Sequence, residues 1–424
     1  MSNLATFHNL GLNSHLLQAV LEAGYIEPTP IQTQTIPPIL ARRDLVGCAQ
    51  TGTGKTAAFA LPILQLLAIS SPESHQSNSN SGSHNKKPIR VLVLSPTREL
   101  AIQIGDFFTK YGKFSKKLTN TVIYGGVKQH QQVKALTSGV DVLIATPGRL
   151  LDLIGQGYVS LQHIEILVFD EADHMLDMGF IPDVRRIMKT VSKEHQTMLF
   201  SATMPEEIVQ MAKNFLNKPV KVSVNPNQPV VEIIDQTVYF VEKANKQALL
   251  LSIVSNPKVE RALVFSRTKH GANKIVKKLL QDGVEAEPIH GNKSQNARQK
   301  ALQNFRDGTT RILVATDVAA RGIDVVDISH VIQFDLPNVS ETYVHRIGRT
   351  GRAGANGIAI AFCDHEERPF LIDIQKLIRR KIPVASNAIS IKENTSNRSP
   401  LNDPLSKQVN LKINSKKSHR KTKS

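Results

Sequence analysis

Ile166-Leu167-Val168-Phe169-Asp170-Glu171-Ala172-Asp173 is an apolar run that ends abruptly on a cluster of carboxylates. Four bulky apolar residues without polar alternation suit a strand buried on both faces, the kind found in parallel sheets covered by helices. Upstream lies Ala49-Gln50-Thr51-Gly52-Thr53-Gly54-Lys55-Thr56, which follows the phosphate-loop pattern GxxxxGK[ST] except that Ala49 stands where the pattern has its first glycine. Gly52 and Gly54 permit the tight turn whose backbone amides face phosphate oxygens, and the helix that follows directs its positive end there. Lys55 is suited to the β- and γ-phosphates of a bound nucleotide, and the Thr56 hydroxyl to a magnesium ion. Asp170 reaches the same magnesium, partly through water, because Mg²⁺ keeps much of its hydration shell. Glu171 is then placed to polarise an attacking water. Phosphoryl transfer asks for phosphate cradling, a metal ion and an oriented water, and these two segments supply all of them. Carboxylates also cluster at helix starts to complement the dipole, but the upstream loop favours the catalytic reading.

Composition points the same way. The chain has 424 residues, 41% of them hydrophobic and 21% charged, a globular balance with enough length for two domains. Apolar stretches alternate with amphipathic helical ones in two series. The first includes residues 89–94, 140–145, 166–169 and 197–200, and the second 262–265, 286–289, 311–315 and 330–334. Each series predicts an α/β unit with a mostly parallel sheet flanked by helices. Residues 217–231 carry Pro219, Pro226 and Pro229 and read as an extended linker. The expected division is therefore 1–216, a linker at 217–230, 231–384, and a basic disordered tail at 385–424. Residues 70–87 are rich in Ser, Asn and His and read as a surface loop.

A net charge of +17 favours a polyanionic partner, since each cation set against a phosphate releases condensed counterions. Tryptophan is absent and aromatics make up 5%, so stacking platforms for successive bases are poorly supplied and backbone contact is expected instead. Two widely spaced cysteines, Cys48 and Cys363, exclude a disulfide framework and a cysteine-rich zinc site. No apolar run is long enough to span a membrane and the N-terminus is polar, so a cytoplasmic protein is expected.

Further segments carry a family resemblance. In the first half these are Gly24-Tyr25 with Pro28-Thr29-Pro30-Ile31-Gln32, Pro96-Thr97-Arg98-Glu99-Leu100-Ala101, Gly125-Gly126, Thr146-Pro147-Gly148-Arg149 and Ser201-Ala202-Thr203. The second half holds Val264-Phe265-Ser266-Arg267-Thr268, His290-Gly291-Asn292, Gln295 with Arg298, Ala315-Thr316-Asp317, Arg321-Gly322-Ile323-Asp324 and His345-Arg346-Ile347-Gly348-Arg349-Thr350-Gly351-Arg352. With the phosphate loop and the Asp170–Asp173 cluster, this series resembles the DEAD-box ATP-dependent RNA helicases of superfamily 2. The short start at Phe7 and the basic tail resemble the bacterial RhlE-like branch, which is associated with ribosome assembly and RNA turnover.

The resemblance implies two tandem RecA-like domains and a set of roles. Gln32 reads the adenine edge, for which an amide that both donates and accepts is suited. Phe7 and Tyr25 pack near the base, and Asp324 contacts the ribose. Gln50, Thr51, Gly52, Thr53, Gly54, Lys55 and Thr56 hold the phosphates, with Thr56 and Asp170 on magnesium. Arg349 and Arg352 act as arginine fingers reaching from the second domain, so that hydrolysis requires closure. Asp173, Ser201, Thr203 and His345 couple that closure to the nucleotide. Arg98, Gly126, Thr146, Arg149, Arg267, Gln295, Arg298 and Thr316 hold the backbone of single-stranded RNA, with little sequence preference. A DNA translocase and an inactive ATP-gated RNA scaffold are the competing readings. Nucleic-acid stimulation of hydrolysis separates them.

Overall fold

The computed structural model describes residues 6–50, 52–69, 87–113, 118–224, 234–320, 325, 327–351 and 357–385. Residues 70–86 of the expected loop at 70–87, residues 386–424 of the expected tail at 385–424, and the candidate residues Thr51, Asp324 and Arg352 lie outside them.

The described chain builds two parallel sheets. The first contains β1 (Leu45–Cys48), β2 (Val91–Leu94), β3 (Asn120–Ile123), β4 (Val142–Ala145), β5 (Ile166–Phe169), β6 (Gln196–Ser201) and β7 (Val220–Ser223), in the order β3-β4-β2-β5-β6-β1-β7. The second contains β8 (Ile234–Phe240), β9 (Ala262–Phe265), β10 (Ala286–Ile289), β11 (Ile312–Ala315), β12 (His330–Gln333) and β13 (Gly357–Cys363), in the order β10-β11-β9-β12-β13-β8. Val91–Leu94, Val142–Ala145, Ile166–Phe169 and Ile312–Ala315 are buried along their whole length, as expected where helices cover both faces of a sheet.

Apolar layers lie on both faces of the first sheet. One holds Val91, Val93, Ile166, Val168, Met198 and Phe200 against the helix Lys55–Ile69, and the other holds Leu92, Leu94, Leu143, Leu167, Phe169 and Leu199. Successive residues of one strand therefore serve opposite layers. Gly47 of β1 is needed for close approach, because a Cβ there would lie 2.7 Å from the Phe200 ring. Helix starts are capped by the local sequence. Asn13, Thr97, Thr268 and Ser294 each accept a backbone N–H of the first turn, which satisfies one of the orphan donors there.

The expected linker needs correction. Val220–Ser223 is a strand, not a connector, and pairs in parallel with β1 through Leu45↔Val220 to Cys48↔Ser223. Val220 and Val222 alternate with Lys221 and Ser223, the period of an edge strand, and the prolines on either side obscure that signal. No helix among the described residues is long and apolar enough to cross a membrane.

Candidate active site

Strand order decides which motifs meet. β5, β6 and β1 are neighbours, so the segments leaving their carboxyl ends lie side by side: Asp170–Asp173, Ser201–Thr203 and the phosphate loop. Arg98, Gly126 and Thr146 follow β2, β3 and β4, which are neighbours on the other side of the same sheet. The second sheet repeats the arrangement, with Arg267, Gln295 and Thr316 after β9, β10 and β11, and the helix Ser340–Ile347 after β12. Open α/β sheets bind ligands at the carboxyl ends of their strands, and nearly every candidate residue falls there.

Within the phosphate loop, Gly52 and Gly54 have φ of 87° and 90°, values that an L side chain rarely adopts. Lys55 donates from Nζ to the Ala49 carbonyl at 2.8 Å, and the Thr53 hydroxyl donates to the Gln50 carbonyl at 2.7 Å. Thr56 opens the following helix beside Lys55. Gln32 is fully buried, and its amide is already committed on both sides: Nε2 donates to the Gly54 carbonyl at 3.2 Å and Oε1 accepts from Thr29 N at 2.9 Å. Each end keeps one further hydrogen-bonding position. Gln32 thus ties the helix Pro30–Leu40 to the loop, a tie the sequence did not reveal. A Cβ on Gly54 would sit 2.4 Å from Gln32 Nε2. Gly54→Ala is therefore expected to abolish detectable ATP binding in a fluorescent-nucleotide titration, whereas near-normal affinity would show that the loop tolerates another path.

Phe7 is buried in the apolar layer that also holds Ala49, and its short helix packs against the helix Pro30–Leu40. Tyr25 is partly exposed and pairs with Tyr111, ring centroids 6.3 Å apart.

Asp170 is 2% exposed, and its Oδ1 has no hydrogen-bond partner. Burial and the neighbouring Glu171 raise its pKa to about 7, against a counteracting pull from Lys55. A buried carboxyl oxygen that lacks a partner beside a phosphate loop fits a hard cation, and with the Thr56 hydroxyl it would hold Mg²⁺. When bound, that ion supplies charge neutralisation for the phosphates. Glu171 adopts φ 55° and ψ 55°, the left-handed region, at the N-terminus of the helix Ala172–Asp177. Its Oε2 lies 2.8 Å from His174 Nδ1. Burial pushes the Glu171 carboxyl up, but His174, Lys55 and Arg349 together outweigh it and hold the group below the usual carboxylate range. Arg349 belongs to the second sheet's helical layer and acts across the cleft.

Asp173 is the hub of the residues expected to couple closure to the nucleotide. Its Oδ2 accepts from Ala202 N at 3.1 Å, Thr203 N at 2.9 Å and the Thr203 hydroxyl at 3.0 Å, while its own N–H donates to Ser201 Oγ at 3.2 Å. His345 meets this group through His174, the two rings standing edge to face at 4.9 Å. His174 was not among the residues expected, and its signal was only its place next to Asp173.

Among the RNA candidates, Arg98 lies against Gly126, whose φ of +81° and missing side chain leave room for the guanidinium. Arg149 is steadied by Gln132 Oε1 at 3.3 Å and the Val127 carbonyl at 3.2 Å. Thr146 immediately precedes the helix Pro147–Gly155, Thr316 precedes the helix Asp317–Ala320, and Arg267 donates to Glu367 Oε1 and the Leu336 carbonyl, both at 2.9 Å. Gln295 and Arg298 are buried and bind Glu99, with Gln295 Nε2 to Oε1 at 3.0 Å and Arg298 Nη2 to Oε2 at 2.8 Å, and so join the two sheets. Arg98 Nη1 adds a bond to Gln295 Oε1 at 3.4 Å. Removing Glu99 leaves buried cationic Arg298 without its partner, a loss of about 3–5 kcal/mol where such pairs are broken. Glu99→Ala is expected to weaken RNA binding in the presence of a non-hydrolysable ATP analogue by at least about 10-fold at unchanged nucleotide affinity. Equal RNA affinity would deny the pair a part in closure.

Two parallel-sheet domains with a phosphate loop, a buried aspartate that has one unpartnered oxygen, and a cation acting across from the second domain define a P-loop ATPase of the two-domain RecA-like class. The chain belongs to the family of DEAD-box ATP-dependent RNA helicases. Family models for DEAD/DEAH box helicase and for the helicase conserved C-terminal domain match residues 29–211 and 245–354. The DEAD-box ATP-dependent RNA helicase CshA of Bacillus cereus is 42% identical over 379 residues, covering 89% of this chain and 69% of that protein. Dbp5 of Saccharomyces cerevisiae, solved bound to RNA and ADP BeF3, is 32% identical and superimposes with a TM-score of 0.78 over 89% of this chain and 94% of that one. A DEAD box protein from Methanococcus jannaschii is 37% identical, covering 90% and 99% of the two chains, with a TM-score of 0.51. ATP with Mg²⁺ is the substrate, hydrolysis depends on RNA, and RNA is the partner.

Proposed function

We propose that the chain works as an ATP-driven clamp that closes on one RNA strand, opens a few base pairs locally, and is reset by hydrolysis. The observation that supports this most is that Glu99 binds Gln295 and Arg298 across the cleft while Arg349 lowers the pKa of Glu171 across it, so RNA-side and ATP-side contacts close together. A closed form that fits a single strand and not a duplex shifts the equilibrium toward unwinding. In this reading Lys55, Gln50, Gly52, Thr53 and Gly54 cradle the phosphates, Thr56 and Asp170 hold Mg²⁺, and Glu171 orients water. Gln32 spends its remaining amide positions on adenine, and Arg349 with Arg352 neutralises the γ-phosphate. Arg98, Gly126, Thr146, Arg149, Arg267 and Thr316 contact the RNA backbone, with Gln295 and Arg298 acting through Glu99.

Ribosome assembly or RNA turnover in the cytoplasm is the process that such a basic RNA remodeller would serve. The Bacillus cereus relative carries the name CshA and not that of the RhlE-like branch, so the proposal stays at the level of the family. Steady-state ATP hydrolysis with no nucleic acid, single-stranded RNA or single-stranded DNA tests the clamp. Stimulation by RNA alone is expected. Equal stimulation by DNA would move the reading to a general nucleic-acid translocase, and no hydrolysis to a scaffold.

A further inference from the structure

His174, Asp177 and His345 present donor atoms that all lie within 4.8 Å of one another, the first two on the helix Ala172–Asp177 and the third on Ser340–Ile347 of the other domain. We propose that these residues bind a zinc-type dication that fastens the two domains together. The inference rests on the clamp reading, because His345 reaches His174 only when the domains are together.

The chemistry of the donors selects the ion. His174 is 2% exposed, and its Nδ1 faces Glu171 Oε2 at 2.8 Å. An ionised carboxylate only accepts, so Nδ1 carries a proton, and in the neutral ring Nε2 holds the lone pair that a metal takes. That Nε2 is buried and has no hydrogen-bond partner. A histidine whose other ring nitrogen donates to a carboxylate is the usual arrangement around protein-bound zinc, where the carboxylate fixes the tautomer and raises ligand basicity. His174 and Asp177 are three residues apart on one helical face, so a single ion can reach both. Two imidazoles and one carboxylate suit zinc and leave a fourth position for water. They do not suit Mg²⁺, which takes oxygen ligands and belongs to Asp170 and Thr56. Around a tetrahedral zinc the donors stand about 3.4 Å apart, so the side chains must draw in by up to about 1.4 Å.

Two consequences follow from the position. The ion ties His345 to His174 and so holds the clamp closed. It also draws electron density from the imidazole that faces Glu171, which strengthens that hydrogen bond and makes the carboxylate a poorer acceptor for a water proton. Zinc should therefore slow turnover while prolonging RNA binding. Reciprocally, ligands that close the clamp should tighten zinc binding by the same factor.

The test is zinc binding to the full chain, measured by competition with a chromogenic chelator, with and without single-stranded RNA plus an ADP–beryllium fluoride complex. One zinc equivalent is expected to tighten by about 10-fold or more in the closed complex. His174→Gln and Asp177→Asn should each weaken it by about 10-fold or more. Asp177→Asn should keep RNA-stimulated hydrolysis in zinc-free buffer, which shows that its fold is intact. Unchanged zinc affinity in both variants would place the ion on other histidines or cysteines and overturn the proposal, as would equal affinity in the open and closed states. RNA-stimulated hydrolysis without zinc coupling would remove the metal site alone. Absence of that stimulation in the unaltered chain would remove both readings.

Discussion

Glu171→Gln is expected to bind ATP and RNA as the unaltered chain does and to lose about 10²- to 10⁴-fold in RNA-stimulated kcat, the range for removing a positioned general base. The substitution keeps the shape of the side chain. An amide oxygen at the same place can still accept from His174 Nδ1, now 2.8 Å from Glu171 Oε2, so the buried neighbour keeps its partner. What disappears is the negative charge that His174, Lys55 and Arg349 sustain against burial. That charge is what an attacking water's proton would meet. Single-turnover hydrolysis with saturating RNA, alongside titrations of nucleotide and RNA, separates chemistry from binding. Turnover within a few-fold of normal would take Glu171 out of the catalytic role, and lost nucleotide binding would make it a structural residue. The left-handed backbone at Glu171 costs on the order of 1–3 kcal/mol and persists because Asp173, bonded to Ser201 and Thr203, fixes the segment on one side and the bond from Asp170 N to the Leu94 carbonyl fixes it on the other.

Arg349→Ala is expected to be at least as damaging, lowering kcat by about 10³- to 10⁵-fold as removal of an arginine finger does. Arg349 is 4% exposed and follows the helix Ser340–Ile347, with its backbone N–H on the Arg346 carbonyl at 3.1 Å. Arg346 in turn is pinned by Asp317 at 2.5 and 2.9 Å and by Gln333 at 2.6 Å, so the segment that presents Arg349 is rigid. Arg349→Lys should recover little, because one ammonium cannot reproduce a planar fork of donors. The KM for ATP should change far less than kcat, since most of the proposed nucleotide contacts lie on the first domain. A fall in KM-linked affinity equal to the fall in kcat would instead make Arg349 a ground-state binding residue.

The motifs read well where a role is encoded locally. Lys55 follows its glycines directly, and Asp170 follows its strand directly, so their places at the carboxyl ends of β1 and β5 could be foreseen from periodicity and spacing. β7 was missed because a four-residue edge strand between prolines carries too weak a pattern. Glu99 is visible in the sequence only as part of a motif. Its partners Gln295 and Arg298 stand 196 and 199 residues away, and nothing in the local sequence says that a carboxylate at a helix start will be matched by that amide and that guanidinium. Gln32 was assigned to the nucleotide, yet its amide also spans 22 residues to the Gly54 carbonyl.

The sequence by itself determined the chemistry available at each strand end: phosphate cradle, paired carboxylates, hydroxyl relay and guanidinium groups, because those depend on residue type and on spacings within one turn or one strand. Only the tertiary structure decided which of these meet. The order β5-β6-β1 sets Asp173 beside Ser201 and Thr203, and the approach of the second domain sets Glu99 against Arg298 and His174 against His345. Those pairings follow from strand order and domain approach, which are set by long-range packing of many apolar side chains and leave no local mark on the residues they bring together.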